Sequence, residues 1–340
     1  MKKIIEHLKI EWHKYIFDTV VVIVGILIAF SLNNWNENQK NEDEFKAVLQ
    51  QIYTVIDQDT ERLTYIQYAL ANQIAIIDTM RQLPNSINPK RLPHLLFYID
   101  LVPDDLTSEV HYHLGFLNFN PVNLKQSNLN KSLVTYGDKI TNQFNMGRKN
   151  VTSFLEKINL PFPSINFGYS VMNNYENIDT NFFSDSEIEH AAKLFEDPLF
   201  QNALKSSRSR KVMNSAFIGG LINLAKANLT AIKNYYPDVK LLYANVGLIG
   251  EATQNNSWEK NIPLTLTNDL ESIWEADVVL ENGFVKFREG ENWYFNWGGD
   301  KFPEGSTLAL YGNNISVKAG KYHVILNLSE KTYQFIKQDN

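Results

Sequence analysis

The chain is 340 residues long, with 44% hydrophobic and 21% charged residues and no cysteine. This length allows two or three domains, and the composition can fill ordinary hydrophobic cores. The formal net charge of -6 disfavours general nucleic-acid binding, which needs a basic field to neutralise phosphates. Without cysteine the chain has neither disulfides nor a lipidated N-terminal cysteine, so membrane attachment has to come from the polypeptide.

The first predicted element is an apolar helix that includes Ile16 to Leu32. Its roughly 17 residues, mostly Val, Ile and Leu, give about 26 Å of helix, close to the hydrocarbon thickness of a bilayer. Asp18 is the only charged residue in this stretch and lies near its start, where its carboxylate can reach water. We predict a transmembrane helix over residues 15–34, after a basic leader at residues 1–14.

The charges on either side of this helix predict its orientation. Four lysines precede it, and acids outnumber bases in residues 33–46. The basic side of a span usually stays in the cytoplasm, so a cytoplasmic N-terminus and periplasmic C-terminal domains are expected. An inner membrane is favoured over an outer one, because outer-membrane proteins use barrels and lipids instead of helical spans. A cleaved signal peptide is the alternative, since Ala29 and Ser31 form a small-x-small pair.

The stretch YIFDTVVVIVGILIAFSLNNWNE resembles the opening of an uncharacterised family of Bacteroidota single-span membrane proteins. Two later segments, LKQSNLNKSLVTYGDKI and FEDPLFQNALKSS, are similar to the middle of the same family. The resemblance therefore covers about the N-terminal two-thirds of the chain. It implies a retained membrane anchor and no known activity.

A long helix is predicted from Phe45 to Ile77. Its apolar residues recur at alternating spacings of three and four, with Asp59 as the one polar residue in the series. Such a repeat indicates a helix with a narrow buried seam, continuing from the membrane helix until Pro84. Two partners for the seam are possible. The favoured one is an intramolecular helical bundle over residues 35–237, and the other is a parallel coiled-coil dimer.

Further helices are predicted across the rest of this region. Ser184 and Glu187 form a capping box that opens one of them, and Pro198 begins a long one that ends before Pro237. Gly219 and Gly220 lie inside the long helix, where a close helix crossing is the natural explanation. The other helical patterns cover His94–Leu101, Leu129–Phe144 and Val151–Ile158.

After Pro237 the pattern changes to short strands separated by turn signals such as Asn282-Gly283. Seven or eight strands in about 100 residues indicate an immunoglobulin-like β-sandwich over residues 238–340. The predicted strands are Leu241–Ile249, Ile262–Leu266, Ile273–Leu280, Phe284–Arg288, Trp293–Trp297, Thr307–Tyr311, Tyr322–Leu328 and Thr332–Ile336. The predicted fold is thus multidomain α and β: a transmembrane helix and a long-helix bundle followed by the sandwich.

Three pieces of the C-terminal region carry a second resemblance: VGLIGEATQNNSWE, VKFREGENWYFNWGGD and YGNNISVKAGKYHVILNLSEKTYQF. They are similar to the starch-binding modules of the SusE/SusF family of outer-membrane lipoproteins, in the WxxNWGGD signature and the closing AGxYxVxLxL strand. The similarity covers residues 239–337. It implies a starch-binding-like β-sandwich, although those proteins are lipidated at a cysteine that this chain lacks.

Carbohydrate-binding domains stack aromatic rings on sugar rings and bind the hydroxyls through planar amides, basic groups or carboxylates. Trp258 lies in a polar loop and is the better candidate for an exposed platform. Trp293, Phe295 and Trp297 alternate, so at least two of these three are expected in the core. The candidate carbohydrate-binding residues are Trp258, Trp293, Arg288, Asn292, Asp300 and Lys301.

No other chemistry stands out in the sequence. Glu109, His111 and His113 would share one face of an extended segment, but two histidines without a further ligand are more often packed or surface residues. The common hydrolase, phosphate-binding and dinucleotide-binding motifs are missing, so neither an enzyme nor a cofactor is predicted. Two functions are expected: an extracytoplasmic protein whose helical stalk presents a carbohydrate-binding sandwich, or a structural or sensory adaptor that contacts another envelope protein.

Overall fold

A computed structural model describes residues 2–82, 87–100, 108–115, 121, 123–144, 184–253, 257–291 and 293–338. Helices come first and two antiparallel sheets follow, which confirms the predicted order of a helical region and a β-sandwich. The helix predicted over Val151–Ile158 lies outside the described residues. The helices are α1 (Lys2–Gln82), α2 (Leu92–Asp100), α3 (Val110–Gly115), α4 (Leu124–Asp138, continued by a π-helical turn over Lys139–Phe144), α5 (Asp185–Glu196) and α6 (Pro198–Tyr235).

Helix α1 is continuous from the apolar stretch into the long predicted helix. Residues 16–38 are exposed along the whole circumference of the helix, although ten of them are Val, Ile or Leu. An 18-residue window here has a mean hydropathy of 2.3 and no buried part. A helix of this kind serves as a membrane anchor or as a signal sequence. Helix α6 is also long and apolar enough to cross a membrane, with a mean hydropathy of 1.2 over 18 residues. However, a third of those 18 residues is buried in the protein.

The seam of α1 is buried against other helices of the same chain, as the bundle alternative predicts. One hydrophobic core unites α1, α3, α4 and α6, and a second core joins the far end of α1 to α2, α5 and α6. The predicted seam residues from Phe45 to Leu70 are buried. Near the end of the seam Ile77 is also buried, but Ile74 is only half-buried and the neighbouring Ile76 is buried instead. The burial of this face accounts for the sustained three-and-four spacing.

Asp59 is the polar member of the seam and is 2% exposed. Its Oδ2 accepts hydrogen bonds from the Ser108 hydroxyl at 2.6 Å and the Tyr136 hydroxyl at 3.1 Å. Burial raises the pKa of the Asp59 carboxyl to about 6, against the lowering effect of these two hydrogen bonds. Asp59 is therefore a buried, hydrogen-bonded carboxyl near the middle of the longest helix of the bundle.

Helix α6 runs back along α1 in the antiparallel direction. The Phe45 and Tyr235 rings lie 5.5 Å apart near one end of the pair, and Arg208 donates to Asp78 at 2.8 Å near the other. Between these ends, Gly219 lies so close to α1 that a Cβ would be 3.0 Å from the Gln67 amide nitrogen, which agrees with the predicted close crossing. The chain consequently returns toward the apolar stretch before it enters the sandwich.

The sandwich consists of two antiparallel sheets. Sheet one has the strand order β2-β1-β5-β6-β8, with β9 also pairing with β5, and sheet two has the order β3-β4-β10-β11-β7. The strands are β1 (Val246–Gly250), β2 (Ser257–Pro263), β3 (Thr265–Asn268), β4 (Ile273–Leu280), β5 (Gly283–Glu289), β6 (Asn296–Gly298), β7 (Glu304–Gly305), β8 (Ala309–Leu310), β9 (Ile315–Val317), β10 (Gly320–Asn327) and β11 (Thr332–Lys337). A single hydrophobic core fills the space between the sheets.

Two predicted strands begin later in the structure than the sequence predicts. The run Trp293–Trp297 forms a strand only from Asn296, and residues 293–295 make a bend instead. The run Leu241–Ile249 becomes a strand only at Val246, because residues 240–243 are bonded to α1 rather than to a neighbouring strand.

The sandwich is docked on a polar face of α1. Two hydrogen bonds join the Gln50 amide to the backbone of Lys240, and the Thr54 hydroxyl accepts the Leu242 N–H at 2.8 Å. Farther along, Arg62 lies over the Phe295 ring at 4.9 Å. The side of α1 opposite its apolar seam is therefore used for contact with the sandwich instead of being left to solvent.

A buried charge cluster lies at the centre of this contact. The Lys331 ammonium donates to Asp57 at 2.9 Å and contacts Glu61 at 2.5 Å. The Tyr243 hydroxyl donates to Asp57 at 3.0 Å, and the Trp297 indole N–H donates to Glu61 at 3.0 Å. We call these five residues the Lys331 cluster.

The Lys331 cluster holds two carboxylates for one ammonium. Burial raises the pKa of the Glu61 carboxyl despite the attraction of Lys331. Burial alone would lower the Lys331 pKa, but the two carboxylates outweigh it and raise that pKa. Both shifts favour the protonated forms, so the cluster binds protons more tightly in the folded chain than in the unfolded one.

Candidate binding surface on the sandwich

Trp258 and Trp293 come together on sheet one. Trp258 lies on β2 and not in the polar loop predicted from the sequence, and Trp293 lies in the bend that precedes β6. Their ring centroids are 6.1 Å apart and their planes are inclined at 44°. Trp293 is 41% exposed and Trp258 is half-buried, so Trp293 offers more open ring surface than the residue that the sequence favoured. We call this pair the tryptophan platform.

Arg288 packs against the buried side of the tryptophan platform. Its side chain is 2% exposed, and its guanidinium carbon lies 4.8 Å from the centroid of the Trp293 ring. The guanidinium donates to the Asn261 side-chain oxygen at 2.9 Å and to the Glu259 carbonyl at 3.0 Å. Because Glu259 and Asn261 belong to the same strand as Trp258, Arg288 connects both halves of the platform.

Such an arrangement fixes the position of the rings. The cation–π contact and two hydrogen bonds restrict the Arg288 side chain, and burial lowers its pKa. A buried guanidinium that already makes these contacts is a poor direct ligand for a sugar hydroxyl. Its role in this geometry is to hold the Trp293 ring and the β2 backbone in a preformed orientation.

Two small features allow this packing. Gly247 on β1 leaves room for Asn261, since a Cβ there would lie 2.7 Å from the Asn261 Cβ. On the other side, the Asn296 amide donates to the Trp293 carbonyl at 2.9 Å and accepts from the Lys286 ammonium at 3.0 Å. Asn261 carries no sequence signal for this role, because it acts through a partner on another strand. Asn296 belongs to the WxxNWGGD segment, but its bonds to Trp293 and Lys286 are visible only in the structure.

Two of the remaining predicted site residues, Asp300 and Lys301, do not join the platform. Asp300 and Lys301 follow β6, whereas Trp293 precedes it, so the strand separates them. Asp300 accepts a hydrogen bond from the Asn313 amide at 2.8 Å, and the Lys301 backbone is bonded to the Tyr333 hydroxyl. Asn292 lies outside the described residues. Of the six predicted residues, the structure thus brings together Trp258, Trp293 and Arg288.

The other two tryptophans of the sandwich belong to its interior. Trp297 is fully buried and Trp274 is 6% exposed. Phe295 is half-buried and lies under Arg62 of α1. Two of the three alternating aromatics, Phe295 and Trp297, therefore pack inward, while the bend at residues 293–295 turns Trp293 outward.

The EVHYH segment is not extended. Val110–Gly115 forms the short helix α3, so His111 and His113 do not share the face that a strand would give them. His111 lies 3.1 Å from Asp138, and His113 lies 3.9 Å from Glu109. Within the described ranges, no group of three or more His, Cys, Asp or Glu residues is placed to hold a metal ion.

Comparison with known families gives a match in the N-terminal region of the chain. A model for a family of unknown function, DUF6090, matches residues 18–91. This match is consistent with the resemblance of the N-terminal region to an uncharacterised family. No curated protein and no solved structure matches the chain.

Proposed function

We propose that this chain is a membrane-anchored, non-catalytic binding protein whose immunoglobulin-like sandwich binds carbohydrate at the tryptophan platform. The observation that carries the proposal is the pairing of two partly exposed indole rings on a buried arginine. Aromatic faces held in a fixed orientation are the usual means of binding the apolar face of a sugar ring.

The similarity of the WxxNWGGD and AGxYxVxLxL segments to the SusE/SusF starch-binding modules supports the same proposal and suggests α-glucans as ligands. The apolar part of α1 supports a single span, with the basic leader in the cytoplasm and the sandwich in the periplasm. An inner membrane fits a helical anchor better than an outer membrane does.

Calorimetry with the full chain in detergent micelles tests the proposal, using malto-oligosaccharides first and other neutral glycans afterwards. We expect Trp293→Ala and Trp258→Ala each to weaken binding by roughly 1–3 kcal/mol, the scale of aromatic stacking on flat ligands. Phe284→Ala is the matched control, because Phe284 is a 43% exposed aromatic residue of the same sheet outside the platform. Absence of binding by well-folded protein to every glycan would refute the proposal.

A second candidate is a structural or sensory adaptor that binds another envelope protein. It is favoured by an exposed apolar surface on α6 formed by Val212, Met213 and Phe217, which are 42%, 71% and 37% exposed. Replacing Met213 and Phe217 by Ser should abolish co-purification of a partner if this candidate is correct. Under the carbohydrate proposal, the same replacement should leave glycan binding unchanged.

A further inference from the structure

A groove on the outer face of sheet two lies apart from the tryptophan platform. It has a volume of about 460 Å³, within the usual range of ligand pockets. Ile325 and Asn327 of β10 face it, because Tyr322, Val324 and Leu326 alternate with them and point into the core. The loop that contains Lys301 and β7 forms one wall. We call this cavity the β7 groove.

The wall of the β7 groove is held rigidly. The Tyr333 hydroxyl donates to the Lys301 carbonyl at 2.7 Å and accepts the Lys301 N–H at 3.3 Å. The Tyr333 ring packs against Gly299 and Gly305 so closely that a Cβ would lie 2.4 and 2.3 Å from its atoms. The groove is therefore preformed, and a ligand would not have to order it.

The polar groups that line the groove have both signs. The Lys301 and Glu304 side chains are exposed, and in the part of the chain that the structure describes neither has a side-chain partner. The Gln334 amide and the Thr332 hydroxyl add uncharged donors and acceptors. One cation and one anion on the rim of the same groove give it no net charge to attract a ligand of either sign, and they suit a neutral ligand with many hydroxyls.

The floor supplies the complementary apolar surface. Ile273 and Ile325 are half-buried aliphatic side chains that face the groove. A sugar ring presents one face of C–H groups and an equatorial rim of hydroxyls, so an aliphatic floor with a polar rim matches its chemistry. Lys301, which the sequence placed beside the tryptophans, lines this second location instead.

We propose that the β7 groove is a second carbohydrate subsite, which binds one neutral sugar unit independently of the tryptophan platform. The inference rests on the proposed function, because it assumes the same class of ligand. The two subsites lie at opposite ends of β6 and on different sheets. One sandwich would thus bind two stretches of the same polymer or two separate chains, and the local concentration of the second stretch would raise the overall affinity.

The test measures the number of ligands per chain, using maltoheptaose and the full chain in detergent micelles. Calorimetry reports both subsites, whereas the change in tryptophan fluorescence reports the platform. One variant, Lys301→Met with Glu304→Gln, removes both charges of the groove and leaves the platform intact. A second variant, Trp258→Ala with Trp293→Ala, removes the platform. The control, Lys318→Met with Glu271→Gln, removes the same charges from exposed positions outside the groove.

We expect two ligands per chain for the wild type and the control, and one for each of the other variants. The groove variant should keep the full fluorescence change. If the platform variant loses all binding, or if the groove variant binds as the wild type does, the groove is not a subsite and the proposed function stands. If only the groove variant loses binding, the inference is supported and the platform assignment is wrong. If the wild type binds no glycan, both are wrong.

Discussion

The Lys331 cluster provides the sharpest test of how the sandwich is held on α1, through the substitution Lys331→Met. Asp57, Glu61 and Lys331 have side chains that are 16%, 10% and 24% exposed. Removing the ammonium leaves two carboxylates side by side in a buried site, and breaking a buried ion pair in this way usually costs about 3–5 kcal/mol. Because Tyr243 and Trp297 still donate to the carboxylates, we expect about 3 kcal/mol at pH 7.5.

The cost of Lys331→Met should depend on pH in a definite direction. A carboxyl with a raised folded pKa stabilises the fold below its unfolded pKa, and this stabilisation is lost as the pH rises through the folded pKa. Burial already raises the pKa of Glu61, and removal of Lys331 takes away the main attraction that opposes it. Glu61 will therefore take up a proton more readily in the variant, and the cost at pH 5 should be at least about 1 kcal/mol smaller than at pH 7.5.

Urea unfolding of the full chain in detergent, followed by tryptophan fluorescence at both pH values, measures this effect. Lys318→Met is the control, because Lys318 is an exposed lysine of the same domain and should change stability by less than about 0.5 kcal/mol. A cost below about 1 kcal/mol at pH 7.5, or equal costs at both pH values, would refute the reasoning about the cluster.

Two further substitutions test the cores. The Asp59 carboxyl has a pKa of about 6 in the folded chain and 3.8 in the unfolded one, so it makes the free energy of unfolding vary with pH by up to about 3 kcal/mol. Asp59→Asn should remove this variation. The wild type should gain stability relative to this variant as the pH falls from about 6 toward 4, and parallel stability curves would contradict the assignment. Leu63→Ala should cost about 2–5 kcal/mol, since Leu63 is fully buried in the seam. A dimer whose melting depends strongly on concentration would instead favour the coiled-coil alternative.

The sequence predicted the apolar side of α1 well and its polar side not at all. A buried apolar seam leaves a periodic trace, because every third or fourth residue has to be hydrophobic. Gln50, Thr54, Asp57 and Glu61 follow a similar spacing, yet polar residues at this spacing are typical of a solvated helix face. Their role depends on where residues 240–243 and Lys331 lie, and this is set by the antiparallel return of α6.

The candidate site was predicted in part for a similar reason. Trp258, Trp293 and Arg288 were selected by residue type, and they meet because β1, β2 and β5 are adjacent in sheet one. Asp300 was grouped with them because it is close to Trp293 in the sequence. An intervening strand carries residues at its two ends to different parts of a domain, and β6 does so here.

The antiparallel return of α6 also determines how far the sandwich lies from the apolar stretch of α1. At 1.5 Å per residue, about 27 Å of α1 separates Leu32 from Gln50, about 50 Å separates it from Tyr65, and about 75 Å from Gln82. The sandwich contacts α1 between Gln50 and Tyr65, whose ring lies 5.0 Å from that of Tyr311. If the apolar stretch spans a bilayer, the far end of the helical hairpin projects beyond the sandwich, and the proposed glycan ligand would have to come within about 50 Å of the end of the apolar stretch to be bound.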